Sequence, residues 1–78
     1  MEKGFVLINC EIGAEEYIVE ELKLIPQVKG AHVTFGAYDV IAEVNANTTE
    51  EFDKTVSQKI RNLSQVVSTM TLKSTNQE

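Results

Sequence analysis

One cysteine, one histidine and one proline are all that this 78-residue chain holds of those three residue types. With Cys10 alone no internal disulfide can form, and with His32 as the only imidazole a closed Cys/His zinc site cannot be built within one chain. Basic residues are scarce too: seven Lys and Arg stand against twelve Asp and Glu, a net charge of −5. Such a balance supplies no basic patch to neutralise phosphates, so direct nucleic-acid binding is not expected. The longest wholly apolar run is Phe5 to Ile8, far short of the roughly 20 residues of a membrane span, and no secretory leader pattern opens the chain. These absences point to a cytosolic protein with no membrane partner and a reduced Cys10.

What is present reads as a folded domain, since 42% apolar and 24% charged residues are ordinary for a globular chain. A chain of this size buries only about 60–65% of its unfolded surface, so its core is thin. With disulfides and zinc excluded, association is the remaining source of stability.

The apolar pattern changes period along the chain. Residues 5–11 carry apolar side chains on both parities and predict a strand covered on both faces. Ala14, Tyr17, Ile18, Leu22 and Ile25 recur at helical spacing and predict a helix over about 14–24, closed before Pro26. Ala31, Val33 and Phe35, then Val40, Ala42 and Val44, alternate as a hairpin turning near residues 36–38, and Gly4 and Gly30 read as breaks between elements. Thr48 followed by Glu51 has the spacing of a capping box, ahead of a helix over about 49–62 with Phe52, Val56, Ile60 and Leu63 as its buried stripe. Val66, Ser68, Met70 and Leu72 form the main set of a last strand, opposite Val67, Thr69, Thr71 and Lys73, before a polar tail at residues 75–78.

The order is βαββαβ, an α+β, ferredoxin-like arrangement in which two helices cover one face of a four-stranded antiparallel sheet. Apolar residues remain for the other face. Packing two such faces together would give a dimeric α/β barrel.

Few residues invite chemistry. His32 has no acid, cysteine or serine beside it in sequence, so no catalytic group is assigned; it reads as a strand residue at a surface or subunit contact. Cys10 reads as an inert, partly buried thiol. Glu11, Glu15, Glu16, Glu20 and Glu21 spread around a helix rather than converging as metal ligands, so neither a metal nor a cofactor is expected. Asp39, in a hairpin turn with Gly36 and Tyr38, either caps its own turn or receives the ammonium of a small ligand. Thr69 and Thr71 either present two hydroxyls to one ligand or serve as good strand formers.

The segment Leu24-Ile25-Pro26-Gln27-Val28, the hairpin Gly36-Ala37-Tyr38-Asp39-Val40-Ile41 and the strand Val67-Ser68-Thr69-Met70-Thr71-Leu72, in this order of elements, resemble the effector-binding domain of the Lrp/AsnC transcription regulators. This module is called RAM, and the likeness runs from about residue 4 to 74. The resemblance implies one ligand-binding domain over residues 1–78, a homodimer formed through the sheets, a ring of dimers, and an amino-acid effector held in clefts between dimers. It implies Gly36, Tyr38, Asp39, Thr69 and Thr71 as ligand-binding residues, with Asp39 facing the ammonium. Full-length members begin with a helix-turn-helix domain; a first strand starting by residue 5 leaves no room for one, so the chain resembles the stand-alone RAM proteins. The implied function is a non-enzymatic effector-binding and oligomerisation module that senses an amino acid or modulates full-length Lrp/AsnC regulators. The rival readings are a small dimeric α/β-barrel enzyme of monooxygenase or isomerase type and a ligand-free structural assembly partner.

Overall fold

Gly4 does not break the first strand but sits inside it, because its missing side chain is what the packing requires. A Cβ on Gly4 would lie 2.5 Å from the Leu72 carbonyl oxygen and 2.8 Å from the Phe52 ring. The computed structural model describes residues 1–74. It contains β1 (Glu2–Cys10), α1 (Glu15–Lys23), β2 (Val28–Val33), β3 (Val40–Ala46), α2 (Thr49–Lys54) and β4 (Val66–Lys73), and α2 continues directly as a π-helical segment, Thr55–Ile60. The expected polar tail at 75–78 lies outside the described residues.

The strands form one antiparallel sheet in the order β2-β3-β1-β4, with both helices on one face. This is the ferredoxin-like βαββαβ fold. Val6 and Ile8 of β1 and Val40, Ala42 and Val44 of β3 point to the helices and are fully buried. From the helices come Ile18, Val19 and Leu22 of α1, Phe52 of α2, and Val56 and Ile60 of the π segment. Val19 takes the place expected of Tyr17, which is exposed. Glu15 and Glu16 in the first turn of α1 and Lys23 in its last complement the helix dipole. No helix among the described residues is long and apolar enough to cross a membrane.

Two local features hold the second helix. The Thr48 hydroxyl accepts from the Glu51 amide at 3.0 Å, as its spacing predicts, while the Glu51 carboxylate returns the bond to the Asn47 amide at 2.9 Å, one residue earlier than in the usual box. The other Glu51 oxygen accepts from the Gln27 side chain at 2.8 Å and ties the helix start to the turn after α1. These bonds, the Gln27 one foremost, hold the Glu51 carboxyl below its usual range.

The helix-free face differs from the sequence expectation in one strand. Register pairs Ile8 with Thr69 and Val6 with Thr71, so both threonines face the helices, while Met70 and Leu72 lie with Phe5, Leu7 and Ile41 on the open face. A register shift at Asn9/Cys10 lets Val66 pack against the core all the same. The open face is therefore apolar at its centre and exposed: Phe5 is 43%, Met70 48% and Leu72 50% accessible. Phe35, expected in the second strand, lies beyond it at the hairpin tip and is 99% exposed. Gly30 pairs within β2, opposite Glu43.

Candidate functional site

The loop joining β2 and β3 is closed by its own backbone. The Thr34 amide donates to the Asp39 carbonyl and the Thr34 hydroxyl to the Tyr38 carbonyl, each at 2.9 Å, and Gly36 takes a φ of +113°, which side chains resist. The Asp39 amide then donates to the Ile8 carbonyl at 2.9 Å, carrying the β3 edge past its last ladder pair. One Asp39 carboxylate oxygen accepts from the Cys10 amide, also at 2.9 Å. Asp39 thus accepts a backbone N–H, as the turn reading expected, but from the end of β1 rather than from its own turn. One oxygen is fixed to backbone, and the second has no protein partner among the described residues.

Tyr38 reaches the open face, where its hydroxyl lies 3.6 Å from the Met70 sulfur. Cys10 lies beside this turn. Burial, then the carboxylates of Asp39, Glu15 and Glu11, push its thiol up, so it stays protonated at neutral pH. His32 is exposed on the open face of β2 opposite Ile41, with neither an acid nor a nucleophile bonded to it among the described residues.

Thr69 and Thr71 stand elsewhere. Strand β1 separates them from the hairpin, because Ile8 pairs with Val40 on one side and Thr69 on the other. Thr69 accepts from the Arg61 Nε at 3.1 Å. The Thr71 hydroxyl oxygen is buried and has no hydrogen-bond partner among the described residues. It underlies a groove of about 500 Å³ between the second helix and β4, whose walls are Asp53, Val56, Ser57, Arg61 and Lys73. Lys73 is paired with Asp53 at 2.9 Å and lies 5.2 Å from the centroid of the Phe52 ring.

Within one chain, then, Gly36, Tyr38 and Asp39 form one group and Thr69 and Thr71 another. Arg61 and Lys73 form no pattern in the sequence, where they are far apart. The shared parity of Thr69, Thr71 and Lys73 was the available signal. Among the described residues no three of His, Cys, Asp and Glu are grouped to hold a metal.

Residues 3–77 match the Lrp/AsnC ligand binding domain. The chain belongs to the Lrp/AsnC family. It is 32% identical over 72 residues to an uncharacterized HTH-type transcriptional regulator of Pyrococcus furiosus, covering 88% of this chain and 48% of that one, so it spans about half the length of this curated relative. A protein of Thermus thermophilus is 32% identical, with a TM-score of 0.92 over 100% of this chain and 98% of its own. A transcriptional regulator of Neisseria meningitidis, solved as a complex with L-Met, shares the fold at a TM-score of 0.85 and 13% identity, over 96% of this chain and 50% of its own.

Proposed function

We propose that residues 1–78 act as a single effector-binding and assembly domain that senses an amino acid. The chain is of a ligand-binding family, and the observation that carries the finer reading is the Asp39 carboxylate. One oxygen is held by the Cys10 amide and the other is free to accept an ammonium. In this reading Gly36 and Tyr38 shape the turn around the ligand. Thr69 and Thr71 come from a neighbouring chain, because β1 keeps them from Asp39 within one protomer. The bound L-Met of the Neisseria regulator is a precedent for the ligand class.

Assembly follows from the open face. Phe5, Leu7, Ile41, Met70 and Leu72 form an apolar surface that a second copy covers face to face, as a homodimer with a barrel-like core. Further dimers add as a ring and bring hairpin and threonines together. The module is non-enzymatic, uses no cofactor and binds no DNA itself; it acts on full-length Lrp/AsnC regulators by co-assembly.

Calorimetry against the twenty amino acids, with wild type and Asp39→Asn, tests the reading. Binding by wild type, weakened ten- to a hundredfold in Asp39→Asn, is expected for loss of a charge-assisted bond of about 1.5–3 kcal/mol. No binding at millimolar concentration would hand the role to the ligand-free assembly partner, for which the same Asp39–Cys10 bond is merely a turn lock.

A further inference from the structure

We infer that the groove between the second helix and β4 is a binding site for a small organic acid or phosphate ester, with its oxyanion held by Arg61, Thr71 and Lys73. This goes beyond the effector reading: it uses neither Asp39 nor a second chain, and shares only Thr71 with that reading.

Three features converge on the groove. Thr71 lines it, and its buried hydroxyl has no partner among the described residues, an arrangement that proteins rarely leave in place. Val would fit the same strand position without the desolvation cost, so the hydroxyl calls for a partner that the protein itself does not supply. Arg61 supplies the second feature. Its Nε donates to Thr69 at 3.1 Å, which fixes the guanidinium plane and leaves the two terminal nitrogens for the paired donation that carboxylates and phosphates accept. The third is the backbone that delivers Arg61. Thr55–Ile60 is π-helical, and the Arg61 amide bonds back to the Val56 carbonyl at 2.9 Å. Each π turn inserts a residue and rotates the later side chains by roughly 100° about the axis, a device common at functional sites.

The charge is sufficient, though modest. Asp53 neutralises Lys73 in their 2.9 Å pair, so Arg61 sets a net charge of one positive unit within a chain whose total is −5. Lys73 keeps two further N–H donors. Ser57 gives its hydroxyl to the Asp53 carbonyl at 2.9 Å and so offers the ligand only an acceptor. Val56 provides apolar wall, and about 500 Å³ exceeds what a bare phosphate fills, which is why an organic acid or ester fits better than an inorganic ion. The Thr71 oxygen is covered from solvent, so a ligand reaches it only when the groove walls part. The groove lies on the helix side of the sheet, so pairing of the open faces leaves it accessible.

The test is a titration of the whole chain, followed by amide and methyl NMR at constant ionic strength, with inorganic phosphate, acetate and glycerol phosphate as probes and chloride as control. Saturable shifts at Ser57, Arg61 and Thr71 are expected with the oxyanions and not with chloride, tightest for glycerol phosphate. Arg61→Gln should weaken binding about tenfold or more. Thr71→Val should weaken it while leaving the fold intact. Lys29→Gln, which removes one positive charge on β2, should leave it unchanged. Equal loss in Lys29→Gln and Arg61→Gln, or shifts that do not saturate, would overturn the site. Binding unaffected by Thr71→Val would do the same. Groove shifts without any amino-acid binding would sink only the effector reading.

Discussion

Replacing Gly4 by alanine adds one methyl group where the structure has least room. The new Cβ would meet the Leu72 carbonyl at 2.5 Å and the Phe52 ring at 2.8 Å, with the Lys73 Cα at 3.1 Å. The ring is fully buried and lies under the Lys73 ammonium, and two of the three contacts are to backbone of the paired strand, so no flexible side chain can simply turn away. Overpacking of this kind costs typically 1–3 kcal/mol, and the backbone contacts put Gly4→Ala near the top, about 3 kcal/mol. A chain of this length has roughly 4–12 kcal/mol in total. With a urea m-value of about 1 kcal/mol/M, the midpoint should fall by about 3 M at fixed protein concentration. Gly30→Ala is the control, since its Cβ would meet only the His32 ring at an ordinary 3.6 Å; it should stay within about 0.5 kcal/mol of wild type or gain slightly. Gly4→Ala within about 0.5 kcal/mol of wild type, or an equal loss in both variants, would refute the packing argument.

Thr71→Val should raise stability by about 1 kcal/mol in the same urea assay, because it removes a buried hydroxyl that has no partner; a loss would mean that the hydroxyl is satisfied. Glu51 gives a pH dependence. Its folded carboxyl lies below its ordinary 4.5, so its contribution is complete above that pH and is lost as pH falls through the lower folded value. Urea midpoints should decline on acidification below about pH 4.5, less steeply in Glu51→Gln, and identical slopes would refute the assignment. The raised Cys10 thiol should react slowly with iodoacetamide at about pH 7.5 and speed up only toward and above pH 9, its ordinary range; fast alkylation at neutral pH would contradict the upward shift.

Much of the fold was legible because the local signals agree with it. The order of elements, the turn near residues 36–38 and the Thr48 cap follow from periodicity and hydrogen-bonding chemistry, and each stands where expected. What was not legible is which face a strand presents. In β4 both parities carry plausible residues, and the choice between Met70/Leu72 and Thr69/Thr71 is made by register with β1, a long-range property. Glycine misled twice, since Gly4 and Gly30 lie within strands and look like breaks only when what packs against them is unknown. The π segment leaves no trace either: Phe52, Val56 and Ile60 sit four apart whether the turns between them are α or π. The hairpin residues and the two threonines could be singled out as candidates from their residue types and spacing. Their separation by β1, and the cations that share the threonines' face, needed the three-dimensional structure.

A crystal structure of the protein grown with a mixture of the twenty amino acids tests the central claim most directly, because it reports assembly and occupancy together. The account predicts two copies joined through Phe5, Leu7, Ile41, Met70 and Leu72, and one amino acid whose ammonium lies within hydrogen-bond distance of the free Asp39 oxygen, with Thr69 or Thr71 of a neighbouring chain against its polar end. Open faces left unpaired, or an Asp39 oxygen that meets only solvent in every copy, would contradict it.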